Sequence, residues 1–259
     1  MLSCGSPVRR MTDRYPAVIV VHASFNPVHE QHIRMVIEAH DCLEKAGYCV
    51  SKGILAITDR SRLVEKGVEA ITDAHRLAAL KYACDGIDWL VPERRGVKYG
   101  SGRQLAEELA GELRKKNPQE LQPWIFVVVG ADIAVRYPHD LRGPTVVVGR
   151  KGLSFSESAY LVQIVEDMAW RRWTFFLVDE LPGDECSSTK LRRALRQDDE
   201  EAVRAMCPNK MVADYLLDHR KQLYLYSCAG CDREDLDYNR DGWNSWCGFY
   251  CHECWEKWN

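Results

Sequence analysis

The apolar positions of this chain fall into short unbroken runs separated by longer amphipathic stretches. Ala17–Val21 is the first such run and reads as a buried strand. Glu30–Ala46 places its apolar residues at helical spacing and stops at Gly47. Gly53–Thr58 is strand-like, Asp73–Ala83 is helical, and Trp89–Val91 is a further short strand. Gln104–Lys116 reads as a charged amphipathic helix ended by Asn117-Pro118. Trp124–Val129 is apolar throughout, as expected of a central parallel strand covered on both faces. Thr145–Val148 and Thr174–Val178 are strands on either side of a helix at Ser156–Trp170. Helices at Ser188–Arg196, Glu200–Met206 and Asn209–His219 close the array. Strands alternating with helices predict an α/β fold, a doubly wound, Rossmann-like parallel sheet with helices on both faces. The pattern lapses near Tyr226, where the chain becomes rich in Cys, Trp, Gly and Asp. A domain over residues 1–225 and a small C-terminal module over 226–259 are therefore expected.

The 259 residues suffice for one large domain with a small appendage. A hydrophobic content of 46% supports a core of ordinary size, and a formal net charge of −3 gives no general affinity for nucleic acid or anionic membranes. No apolar stretch approaches the ~18–20 residues of a membrane span. Residues 1–16 hold three arginines but no apolar core of the kind a secretory signal needs. The odd total of 11 cysteines fits free thiols plus a metal site in a reducing compartment, the cytoplasm or the nucleus.

Three stretches carry candidate chemistry. In the first, the strand ending near Val21 runs into Ser24, Phe25, Asn26 and Pro27, and then into His29 and His32 at a helix start. Ligands of open α/β sheets bind beyond the carboxyl ends of strands. A helix N-terminus there offers unpaired amides suited to an anion, and residues three apart face the same volume. The plain alternative is a pair of partly exposed helix-start histidines. In the second, Val127–Pro138, a strand ends in Gly130 and Asp132; Asp132 either accepts from a sugar hydroxyl or caps a helix. In the third, Cys186–Leu195, Ser187, Ser188 and Thr189 open a helix that carries Lys190, Arg192 and Arg193. It is either a second anion-binding helix start or an ordinary serine cap with a solvated basic face.

In the tail, Cys228-x2-Cys231 and Cys251-x2-Cys254 have the spacing of a four-thiolate zinc site, with Cys247 and His252 as substitute ligands and a disulfide pair as the alternative. Structural Zn²⁺ supplies roughly 10–16 kcal/mol to small peptides, enough to fold a segment without its own core. The tail's acidic excess argues against binding a phosphate backbone. Trp243, Trp246, Trp255 and Trp258 either pack around the metal or form a patch for a protein partner.

Taken in order, Ser-Phe-Asn-Pro-x-His-x-x-His, Gly-x-Asp after a central strand and Ser-Ser-Thr-x-x-Arg resemble the nicotinamide/nicotinate mononucleotide adenylyltransferases, a branch of the nucleotidyltransferase superfamily with the His-x-x-His signature. The likeness extends to Ala74–Glu93, Val146–Gly152 and Met211–Tyr224, and spans roughly residues 17–225. It implies transfer of AMP from ATP to nicotinamide or nicotinate mononucleotide, by direct in-line attack, with Mg²⁺ accompanying ATP and pyrophosphate leaving. It implies His29 and His32 on the ATP phosphates, Ser24 and Phe25 lining the loop, and Ser188, Thr189 and Arg192 holding the polyphosphate from the other side. Gly130 and Asp132 fall in the nucleotide pocket, and Trp89, with Glu93 and Tyr99, on the pyridine side. Homo-oligomers are common in that family. Two departures stand out: Ala23 replaces the family's loop glycine, and Pro92-Glu93 lacks the aromatic that follows Trp89. They keep two alternatives open, a related nucleotidyltransferase with another phosphorylated acceptor, and a non-catalytic nucleotide-binding scaffold.

Overall fold

The computed structural model describes residues 14–65, 67–138, 141–151, 153–154, 158–170, 175–179, 181, 186–226, 236–237, 242–245 and 248–258. In chain order the main elements are β1 (Tyr15–Ala23), α1 (Glu30–Lys45), β2 (Tyr48–Ile57), α2 (Ser61–Glu65), α3 (Asp73–Ala83), β3 (Leu90–Glu93), α4 (Gly102–Lys116), β4 (Trp124–Gly130), α5 (Ala131–Arg136), β5 (Thr145–Val148), α6 (Ala159–Trp170), β6 (Phe175–Val178), α7 (Ser188–Arg196), α8 (Glu200–Met206) and α9 (Lys210–Asp218). A 3-10 turn, Arg95–Lys98, follows β3. The six strands form one parallel sheet in the order β3-β2-β1-β4-β5-β6, flanked by helices. This is the Rossmann order, and it reverses direction between β1 and β4. No helix among the described residues is long and apolar enough to cross a membrane.

Local chemistry explains most boundaries. Thr72 caps α3 by accepting from the His75 amide, Ser101 caps α4, Ser187 caps α7, Asp199 caps α8 and Asn209 caps α9. Helix α1 stops where Gly47 takes φ 92°, a left-handed conformation that glycine adopts without cost. Ala17–Val21 are all buried in β1, the burial that a central parallel strand requires. Strand β2 is longer than its apolar half predicts: it begins at Tyr48, and Cys49, Ser51 and Lys52 in its first half are exposed.

The chain divides into two compact units, each discontinuous in sequence. One comprises residues 1–21, 35–54 and 101–182. It contains the β1–β4–β5–β6 pairings and a core of Ala131, Ala134, Leu141, Val147 and Ile164. The other comprises residues 22–34, 55–100 and 183–259. It holds the loop after β1, the start of α1, and α3, β3, α7, α8 and α9. In the tail, β7 (Leu225–Tyr226) pairs antiparallel with β8 (Leu236–Asp237), and β9 (Gly242–Ser245) pairs antiparallel with β10 (Gly248–Cys251), followed by α10 (His252–Trp258). Cys228, Cys231 and Cys247 lie outside the described residues. Cys254 is half-buried and His252 exposed, both on α10.

Candidate active site

Strand β1 ends at Ala23, whose carbonyl accepts from the Thr58 amide at 2.9 Å. Ala23 keeps an ordinary backbone; the left-handed residue of this loop is Phe25, at φ 44°. A bulky side chain in that region is strained, so the surroundings must hold it. Phe25 is fully buried, and its ring meets that of His32 edge-on at 5.0 Å. Side chains from α3 and α7, together with the loop's own Asn26, pin the loop. Arg76 on α3, completely buried, donates to the Ser24 carbonyl at 2.8 Å and to the Asp73 carboxylate at 2.6 Å. The Asn26 amide donates to the Glu69 carbonyl at 2.9 Å and accepts from the Ile71 N–H at 2.8 Å. From α7, Arg192 donates to the Asn26 carbonyl at 2.6 Å and Ser188 to the Pro27 carbonyl at 2.9 Å. The carbonyls of residues 24, 26 and 27 are therefore all engaged by side chains, and the loop is held as a rigid entry to α1.

The two histidines sit at that entry. The His29 N–H donates to His32 Nδ1 at 3.2 Å, and the rings lie 3.7 Å apart, tilted by 31°. His29 is only 7% exposed, and burial pushes its pKa down to about 4. Burial, and then the neighbouring His29, holds His32 well below the usual histidine range. Both rings are thus uncharged near neutral pH. Because His32 Nδ1 accepts, its ring proton resides on Nε2, which is left as a donor. The pair suits hydrogen bonding to an anionic oxygen rather than neutralising it with full charges. Beside it, the Cys186 sulfur lies 3.4 Å from His29 Nδ1.

Ser24, Phe25, His29, His32, Ser188, Thr189 and Arg192 are thus brought together in one unit. Arg192, 8% exposed, also donates to the Thr189 hydroxyl at 3.2 Å, so much of its guanidinium is committed to shaping the loop. Trp89, Glu93 and Tyr99 lie elsewhere in the same unit, at β3 and the 3-10 turn after it. Trp89 and Tyr99 are half-buried; Glu93 is paired with Arg95 at 3.2 Å. This turn packs on the strand ends through Gly96: its carbonyl bonds His22 Nε2 at 2.9 Å, and a Cβ there would fall 2.5 Å from the Ile57 carbonyl oxygen. Gly130 and Asp132 belong to the other unit. Gly130 precedes α5, where a Cβ would sit 2.8 Å from Asp132 Oδ1, and Asp132 lies 4.0 Å from the Arg150 guanidinium. Four further residues shape the site without a role assigned from sequence: Asn26, which stands in the first motif, Cys186, which opens the third stretch, Arg76 and Gly96. Arg76 was detectable as an arginine at a position of α3 where the helical pattern calls for an apolar residue; Gly96 gave no comparable signal.

The six strands follow the Rossmann order, and His29 and His32 stand at the start of the helix that follows the first of them. The cytidylyltransferase-like family model matches residues 20–194, and the chain belongs to that family, within the nucleotidyltransferase superfamily. No curated protein matches the chain. Among solved structures, the chain is similar to Thermotoga maritima TmcAL bound with alpha-thio ATP, at 12% identity and a TM-score of 0.41. That alignment covers 78% of this chain and 56% of TmcAL, so the chain spans little more than half of that protein's length.

Proposed function

We propose that the protein transfers a nucleotidyl group from a nucleoside triphosphate to a phosphorylated acceptor with release of pyrophosphate, and specifically AMP from ATP to nicotinamide or nicotinate mononucleotide. The observation that carries this reading is the loop of residues 24–29, whose carbonyls are engaged by Arg76, Arg192 and Ser188 and which leads into the neutral His29–His32 pair. An acceptor phosphate oxygen attacks the α-phosphorus in line, its bond forms, and the bond to the β-phosphate oxygen breaks as pyrophosphate leaves. No side-chain nucleophile is required. Catalysis comes from positioning and from donors aimed at oxygens that gain charge in the transition state. His32 Nε2–H is one such donor, with His29 beside it. Mg²⁺ enters as part of the triphosphate; among the described residues there is no group of three or more His, Cys, Asp or Glu side chains that could hold a metal ion. Zinc on the thiolates of Cys228, Cys231, Cys251 and Cys254 belongs to the same proposal, as the element that folds the tail.

The pyridine acceptor is supported by the likeness of Ala74–Glu93, a stretch that includes the half-buried Trp89. The test is incubation of the purified protein with α-labelled ATP, Mg²⁺ and each mononucleotide in turn. Label in NAD or its deamido form, with equal pyrophosphate, supports the reading. Label in neither, with turnover on a different phosphorylated acceptor, keeps the transfer chemistry and discards the pyridine substrate.

A further inference from the structure

We infer that Cys186 is a positioning residue, whose thiol fixes His29 in the Nε2–H tautomer so that both histidines present the same ring nitrogen as donor. A neutral imidazole carries one proton, and its partner decides which nitrogen holds it. For His32 the partner is the His29 backbone N–H on Nδ1, so the proton is on Nε2. For His29 the atom against Nδ1 is the Cys186 sulfur, 3.4 Å away. Two arrangements fit that distance. In one the thiol donates to Nδ1 and the ring proton sits on Nε2; in the other Nδ1–H donates to sulfur and Nε2 is a bare acceptor. Burial raises the thiol's pKa, so it keeps its proton. Imidazole nitrogen is a strong acceptor and thiol sulfur a weak one, which selects the first arrangement. In the second, a bare Nε2 lone pair would repel the phosphate oxygens that the pair is read as binding.

Cys186 reaches His29 from 157 positions along the chain, next to Ser187, the residue that caps α7. The segment that draws the loop carbonyls away through Ser188 and Arg192 thereby also sets the imidazole. The inference rests on the reading of His29 as a phosphate donor for its functional consequence, but the tautomer itself is measured without turnover.

The experiment compares wild type, Cys186→Ala and Cys186→Ser by long-range ¹H–¹⁵N correlation of the histidine rings, alongside kcat and KM for pyrophosphate release. The expected result is a single Nε2–H form of His29 in wild type and in Cys186→Ser, whose hydroxyl also donates, and a mixed population in Cys186→Ala. Turnover in Cys186→Ala is expected to fall about fivefold, the effect of one hydrogen bond, with recovery in Cys186→Ser. A wild-type ring protonated on Nδ1, or an unchanged tautomer in a folded Cys186→Ala protein, overturns the inference whatever the activity. Absence of turnover in all three proteins, with the expected spectra, defeats the functional reading and leaves the tautomer assignment standing.

Discussion

Burial of His29 makes the fold sensitive to acid in a defined window. Its pKa is lowered from 6.5 to about 4 in the folded protein, while in the unfolded chain it titrates near its ordinary value. Above 6.5 neither state binds the proton. Between 6.5 and about 4 the unfolded state binds it and the folded state does not, so stability falls as the pH falls. The difference corresponds to about 3 kcal/mol at the acid end, because each tenfold loss of proton affinity on folding is worth roughly 1.4 kcal/mol. His32 adds loss of the same sign, its own pKa being depressed by burial and by His29. Urea unfolding at stepped pH, for wild type and for His29→Gln, measures this. The wild-type protein is expected to lose about 3 kcal/mol more than the variant on acidification, and the two curves to run parallel above neutrality. Equal slopes through the acid range, or a wild-type protein that gains stability as pH drops, would refute the assignment of a buried neutral imidazole.

Other substitutions probe the loop and its surroundings. Asn26→Ala strands the buried Ile71 N–H and the Glu69 carbonyl and is expected to cost about 2–4 kcal/mol by chemical denaturation, with a parallel fall in kcat/KM; a change below about 0.5 kcal/mol contradicts the pinning role. Ala23→Gly relieves no left-handed backbone, so turnover should change by less than about threefold and stability drop by about 0.5–1 kcal/mol; a large gain in rate would mark a phosphate loop blocked by the Ala23 methyl. Gly96→Ala drives a methyl to 2.5 Å from the Ile57 carbonyl oxygen and should cost about 1–3 kcal/mol, read as a lowered Tm. Elemental analysis of the full chain is expected to find about one zinc per molecule, removed by a chelator together with the tail's protection from protease; metal-free protein with a protected tail rules the zinc out.

Much of this architecture is written locally. The bounds of α3, β5, α7 and α8 follow from the chain pattern because caps such as Thr72, Ser187 and Asp199 mark them and apolar periodicity fills them. The first half of β2 resisted reading because Cys49, Ser51 and Lys52 face solvent and break the apolar run. The site divides in the same way. Ser24, His29, His32, Ser188 and Arg192 lie within two short motifs, so residue type and spacing expose them. What Arg192 and Ser188 do with their donors was not legible, since their partners are loop carbonyls more than 160 positions away. The Arg76–Ser24 and Cys186–His29 contacts join positions 52 and 157 apart and exist only once the strands are ordered. The protonation of the histidines is likewise a product of burial. From sequence they read equally well as charged or neutral donors; the fold makes them neutral.

Pyrophosphate release from ATP and Mg²⁺ in the presence of nicotinamide or nicotinate mononucleotide, for wild type and His32→Ala, tests nucleotidyl transfer at the loop of residues 24–32 most directly. The expected result is release by the wild type that depends on a mononucleotide, and loss of at least about a hundredfold in a His32→Ala protein that still folds. Release that survives the substitution, or wild-type protein that binds ATP but releases no pyrophosphate with any phosphorylated acceptor, would contradict it.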